Sequence, residues 1–170
     1  MVSDNLQVDA PDRLTWRDGT FTCALGRSGI STDKREGDGA TPVGRFALRR
    51  VMYRPDRLEA PVTALPLHPL APDDGWCDDP AHAAYNRPVK RPFSASHEAL
   101  WRDDGLYDVI VELGYNDDPV VVGKGSAIFM HVAQPDFAPT EGCVALSREN
   151  LLSILAACAA ETWITVNPQP

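Results

Sequence analysis

Phe129-Met130-His131-Val132-Ala133-Gln134-Pro135-Asp136-Phe137-Ala138-Pro139-Thr140-Glu141-Gly142-Cys143-Val144-Ala145-Leu146 is the stretch from which the rest of the chain is read. Residues 128–132 are an apolar, branched run, which predicts a buried strand with a histidine at its end. A connection with two prolines follows, then Thr140-Glu141-Gly142-Cys143 and a second apolar run. A turn between two neighbouring strands would bring together His131 and Cys143, which lie 12 positions apart. A free thiol has a pKa of about 8.5 and attacks carbon only as the thiolate. An imidazole within hydrogen-bond reach can take that proton. Gly142 permits a positive φ or a close backbone approach. The amides of Gly142 and Cys143 would then face a developing oxyanion. By spacing alone, Cys143 beside Val144 and Ala145 also reads as a small buried hydrophobe.

The surrounding chain has 170 residues, which suits one domain with one core over residues 1–170. Fifteen prolines and twelve glycines favour a turn-rich β fold over a helical bundle. The net charge of −8 carries no basic cluster to offset it, which argues against nucleic acid as a partner. No apolar run reaches the ~18 residues that a membrane span needs. The first ten residues lack a basic start and an apolar core, so they do not read as a secretory leader; taken literally, that implies the cytoplasm. Cys23, Cys77, Cys143 and Cys158 match no zinc or redox spacing. Cys23 and Cys158 read as packing residues, and Cys77 as an exposed loop residue. His68, His82 and His97 show no ligand spacing with Asp78 or Asp79, so no metal is expected.

Taken in order, apolar pieces at 6–8, 14–16 and 21–25 predict an antiparallel start, with Asp18-Gly19 as a hairpin turn. Residues 26–40 read as a loop and 46–51 as a strand. Residues 53–100 carry eight prolines and read as a long irregular segment that covers or lines a cleft, or is a solvated cover with aromatic anchors. Within it, 96–101 reads as a helical turn capped by Ser94 or Ser96. Residues 107–113 predict a strand. Residues 148–160 predict a helix with Ser147 as N-cap and Leu151, Ile154, Leu155 and Cys158 on its apolar face. Residues 162–166 predict a closing strand, and 167–170 a tail.

The quoted stretch resembles the L,D-transpeptidase catalytic domain, the YkuD-type fold of bacterial cell-wall enzymes. That family carries a histidine, a variable loop, then Ser/Thr-His-Gly-Cys, a hydrophobic residue and usually Asn or Arg. The matching residues are His131, Thr140, Gly142, Cys143 and Val144. Glu141 stands where the family has a second histidine, Ala145 where it has a polar residue, and the loop is short. Upstream, Lys34-Arg35-Glu36-Gly37-Asp38-Gly39-Ala40-Thr41-Pro42-Val43-Gly44-Arg45-Phe46 is similar to the family's K-x-G-D-x-x-T-P-x-G-x-F segment.

The resemblance implies a mainly β (α+β) single domain with one C-terminal helix. It would be a YkuD-like β-sandwich or open barrel under a long irregular cover loop. It implies Cys143 as nucleophile, His131 as base oriented by the Val132 backbone carbonyl, and the Gly142 amide in an oxyanion site. No cofactor is implied, and the expected state is a monomer. The implied partner is the peptidoglycan stem peptide, attacked between an L-centre and a D-residue. Amine, D-amino acid or water as acceptor would give cross-linking, exchange or carboxypeptidase trimming. The departures at Glu141 and Ala145 leave the L-alanine–D-glutamate junction as a variant target. A binding domain with a merely buried Cys143 is the rival outside catalysis. The family's place is the periplasm or cell envelope. Stem carboxylates call for an arginine near the cleft, with Arg87 first and Arg45 second. Thr140 and Glu141 would line the site, Glu141 facing an acceptor ammonium. Tyr115 and Asn116, one strand ahead, are substrate candidates or simply core and turn residues.

Overall fold

The computed structural model describes residues 4–169; residues 1–3, which begin the segment examined for a leader, and Pro170, the end of the expected tail, lie outside them. Strands β1 (Leu6–Asp9), β2 (Arg13–Trp16) and β3 (Gly19–Ala24) form the expected antiparallel meander. The β2–β3 turn falls one residue early: Trp16 pairs with Gly19, and Arg17 takes the positive φ, at 52°. Two short strands pair here: β4 (Ile30–Ser31), inside the predicted loop, and β5 (Thr41–Pro42), just past its end. Then comes β6 (Gly44–Tyr53), the longest strand.

Residues 53–100 are not structureless. They contain β7 (Leu67–Pro69), which joins β6, and β8 (Asp74–Cys77), β9 (Pro88–Lys90) and β10 (His97–Ala99), which form a separate antiparallel sheet in the order β10-β8-β9. The predicted helical turn at 96–101 is therefore a strand, because pairing of His97 with Cys77 and Glu98 with Trp76 supplies backbone partners that one turn of helix lacks. The same pairing buries Cys77 completely, so its predicted exposure is corrected.

The chain returns through β11 (Val109–Leu113), β12 (Phe129–Val132), β13 (Val144–Leu146), helix α1 (Arg148–Ala157) and β14 (Trp163–Val166). Eight strands run in the order β11-β12-β13-β3-β2-β1-β14-β6, and β6 pairs back onto β11, so the sheet closes as a barrel. Its parallel contacts are β1–β14 and β12–β13. Strand β6 can serve both neighbours because it bends: residues 44–47 face β14, and beyond them the register to β11 shifts between Leu113↔Leu48 and Glu112↔Arg50. That bulge lets Leu48 and Val51, three apart, both face the interior.

Alternating residues fill the barrel: Leu6, Val8, Leu14, Val109, Val111, Met130, Val144, Leu146, Ile164 and Val166 are all buried there. Helix α1 adds Leu151, Ile154 and Leu155 to this core. Ser147 Oγ accepts the Asn150 N–H at 3.2 Å, as the N-cap reading expects. The helix stops at Ala157, before the predicted Ala160. Cys158 is already extended, and Thr162 Oγ1 takes the Ala159 N–H at 2.9 Å, turning the chain into β14.

The outward faces of β6, β11 and β12 carry Met52, Ile110 and Phe129 into a second core with Leu70, Trp76, Leu100 and Tyr107. The 54–108 excursion thus packs on the outside of the barrel. Its base is pinned where Arg54 N–H donates to Asp108 O at 2.9 Å, and where the buried Asp108 carboxylate receives Arg57 at 2.9 Å and Arg148 on its other oxygen.

Candidate active site

His131 lies on β12 between Met130, which faces the barrel interior, and Val132. Alternation turns the imidazole to the outer face. Strand β13 runs parallel beside it, with His131 opposite Ala145. Cys143 is two residues before Ala145, so it emerges on the same face, one diagonal step away. Both are buried, at 6% and 7% exposure.

The turn that delivers Cys143 is tied down on both sides. Thr140 N–H donates to Leu25 O at 2.9 Å, and Thr140 O accepts the Arg27 N–H at 2.8 Å. Thr140 Oγ1 donates to Cys143 O at 2.7 Å and accepts the Gly142 N–H at 3.1 Å. Gly142 has φ 135°, and a Cβ there would sit 2.7 Å from Ala40 O. Only glycine fits so close to that backbone. The upstream 34–46 segment is therefore the surface against which the cysteine turn is laid. The Gly142 amide, expected to face an oxyanion, is engaged by Thr140 in the resting state.

At rest the thiol and the imidazole each bond to backbone rather than to one another. Cys143 Sγ donates to Ala127 O at 3.3 Å and accepts the Phe129 N–H at 3.4 Å. Burial pushes this thiol up to about 12, so it is stored protonated. His131 Nδ1 lies 2.8 Å from Val132 O. A carbonyl only accepts, so Nδ1 carries the proton and Nε2 keeps its lone pair. Burial lowers the His131 pKa, with the Val132 bond opposing it, so the ring is neutral at pH 7 and competent as a base. The edge of the Tyr107 ring packs against it, centroids 5.3 Å apart.

Cys143 and His131 open into one cavity of about 440 Å³. Thr140 and Glu141 line it, together with Lys34 and Glu36 from the upstream family-like segment, Asp78 from the stretch read as a cleft cover, and three residues outside the candidate set: Glu98, Arg102 and Tyr107. Lys34 Nζ is occupied by Asp38 at 2.5 Å and Arg35 O at 2.9 Å. Glu36 accepts from Tyr85 at 2.5 Å and Ser126 at 2.8 Å. Glu98 accepts the Tyr107 hydroxyl at 2.5 Å, and burial raises its carboxyl pKa. The guanidinium on this wall is Arg102, which stacks 5.1 Å from the Tyr107 centroid and pairs with Asp104. The excursion thus lines the cleft through Asp78, His97, Glu98 and Arg102. No local pattern marked these residues; only the pairing of β10 with β8 brings them in.

The other candidates fall elsewhere. Glu141 is at the rim, 78% exposed at its side chain and paired with Arg27 at 2.9 Å. Tyr115 bonds Lys124 O and sets its ring edge on Phe46 at 5.4 Å. Asn116 Nδ2 donates to Gly125 O at 2.9 Å and Val121 O at 3.0 Å. Both residues shape the 115–125 loop rather than the cavity wall. Arg87 donates to Asp117 O at 2.8 Å, and Arg45 lies 4.7 Å over the Trp163 ring, where β6 meets β14. Neither arginine lines the cavity, so the guanidinium expected there comes from Arg102 instead. Among the described residues, no group of His, Cys, Asp and Glu is placed to hold a metal, and no helix is long and apolar enough to cross a membrane.

Comparison with known proteins agrees with this geometry. The family model for the YkuD L,D-transpeptidase catalytic domain matches residues 3–166, nearly the whole chain, and the chain belongs to that family. No curated protein and no solved structure matches it.

Proposed function

We propose that this member of the family is a peptidoglycan L,D-transpeptidase working through Cys143 and His131. The observation that carries the reading is their placement on one face and in one cavity, His131 on β12 and Cys143 immediately before the adjacent parallel strand β13, with the His131 Nε2 lone pair free of the Val132 bond. The donor stem binds with the carbonyl of its L-centre at Cys143. Rotation of the thiol away from Ala127 O brings Sγ to the imidazole. Nε2 takes the thiol proton as sulfur bonds to the carbonyl carbon. The tetrahedral oxyanion is met by the Cys143 amide, and by the Gly142 amide once Thr140 Oγ1 lets it go. The carbon–nitrogen bond then breaks, and His131 returns its proton to the departing D-residue's amine. A thioester remains. An acceptor amine attacks it, gives a proton to Nε2 and forms the new amide, and the proton passes back to the Cys143 sulfur. Water in place of the amine gives trimming.

Glu36 and Asp78 on the wall favour an ammonium-bearing acceptor over water. Arg102 is the group for a stem carboxylate. The substrate places the enzyme in the cell envelope, acting as a monomer. The test is incubation with purified tetrapeptide muropeptides, followed by product masses. Cross-linked dimer is expected, with a covalent intermediate on Cys143, and Cys143→Ala is expected to lose at least about a thousandfold in rate. Turnover that survives this substitution would overturn the mechanism. Monomeric tripeptide as the only product would leave the thiol chemistry and replace transfer by hydrolysis.

A further inference from the structure

The carbonyl that holds the Cys143 thiol belongs to a residue in an unfavourable backbone conformation. Ala127 has φ 53°, a left-handed value that residues with a Cβ rarely adopt. What keeps it there is a side chain 41 positions away. Asn86 Oδ1 accepts the Ala127 N–H at 3.0 Å and the Trp76 Nε1–H at 2.9 Å. Its Nδ2 donates to Asn116 O at 2.7 Å and Tyr115 O at 3.2 Å. Asn86 is itself buried, 4% exposed, at φ 55°. Four hydrogen bonds to three different segments use the whole capacity of one amide. It joins the β8 sheet, the loop after β11 and the segment entering β12.

We propose that Asn86 is a positioning residue for the reacting thiol: by holding Ala127 in its left-handed conformation it fixes the carbonyl that keeps Cys143 in its resting, protonated orientation. The inference rests on Cys143 being the nucleophile. Asn86 touches neither sulfur nor cavity; it acts through the backbone of one residue, whose N–H it holds and whose carbonyl accepts the thiol. A hydrogen bond from a thiol to a carbonyl favours the neutral form. Without Asn86, the Ala127 N–H loses its partner, the peptide relaxes toward negative φ, and the thiol loses its acceptor.

The four free cysteines, all buried, make the test internally controlled. Alkylation of each by iodoacetamide at fixed pH is followed by mass spectrometry. Asn86→Ala is expected to speed Cys143 modification about fivefold, the worth of one hydrogen bond, with Cys23, Cys77 and Cys158 unchanged. Adding Ala127→Gly to that background is expected to return the rate toward that of the unsubstituted protein, because glycine takes positive φ without a steric cost. Asn86→Asp retains the acceptor for Ala127 and loses both donors. It is expected to keep the Cys143 rate within about twofold while lowering stability, and it stands in if the alanine variant does not fold. The proposal fails if Cys143 reacts at the same rate in Asn86→Ala. It also fails if all four cysteines speed up together, or if Ala127→Gly restores nothing. The assay uses no peptide, so turnover persisting in Cys143→Ala would remove the nucleophile assignment without disturbing the alkylation result.

Discussion

The barrel interior and the layer outside it use the same apolar residue types but hold them differently. Inside, Val8, Val111, Leu146 and Ile164 are each fixed by strand alternation and by ladder partners on both sides. Outside, Leu70, Trp76, Leu100 and Tyr107 arrive from a proline-rich excursion, where the strands are only three or four residues long and side-chain anchors tie the layer to the barrel. Asp108 gathers Arg57 and Arg148, Asn86 gathers four backbone and side-chain groups, and Arg54 grips Asp56 under the Trp101 ring. The Cys143 thiol belongs to the outer layer, and β13, the strand that follows it, belongs to the barrel. The contrast teaches that rigidity and chemistry are separated by one residue of alternation: Met130 in, His131 out.

Leu146→Ala should give the largest effect. The residue is fully buried in the barrel, and its truncation is expected to cost about 3–4 kcal/mol. Denaturant melts should show this as one cooperative transition, with Cys143 alkylation unchanged below it. Leu100→Ala, at 1% exposure in the outer layer, is expected to cost about 2–3 kcal/mol. It should also speed alkylation of Cys143 while Cys23, in the barrel core, stays protected. Equal protection of the two thiols in both variants would erase the distinction between the layers.

The smallest effect is electrostatic. Burial raises the pKa of the Glu98 carboxyl in the folded chain. The folded state therefore holds that proton more tightly than the unfolded one. Stability falls as pH rises above the unfolded value of about 4.3, and the loss persists at neutral pH. Glu98→Gln keeps an acceptor for Tyr107 and removes the titration. It should raise stability at pH 7 by up to about 1 kcal/mol and change it little at pH 4. A variant less stable than the parent at pH 7 would show that the carboxylate is favourably paired after all.

The barrel was legible because alternation repeats over several residues, as in 6–8, 14–16 and 109–113, and because α1 shows both an apolar stripe and a Ser147 cap. The nucleophile turn was legible as a motif. The excursion was not, because its strands are three or four residues long and find partners across turns of irregular length. His97–Ala99 carries no strand pattern; the edge of β8 makes it one. Arg87 and Arg45 were the arginines read as candidates and Arg102 was not, since a guanidinium's address depends on which carbonyl or ring lies near it in space. The resting place of the thiol was invisible for a related reason: Ala127, an alanine at positive φ, has no signature in its own sequence.

Strand β14 fills the gap between β1 and β6, and Leu6 meets Ile164 in that ladder. During synthesis the first strand must therefore wait for nearly the last one. At ~5–20 residues per second, that interval is on the order of ten to thirty seconds. Throughout it, two hydrogen-bonding edges stay open, and a nascent chain on a crowded polysome runs its greatest risk of pairing with a neighbour instead of with itself.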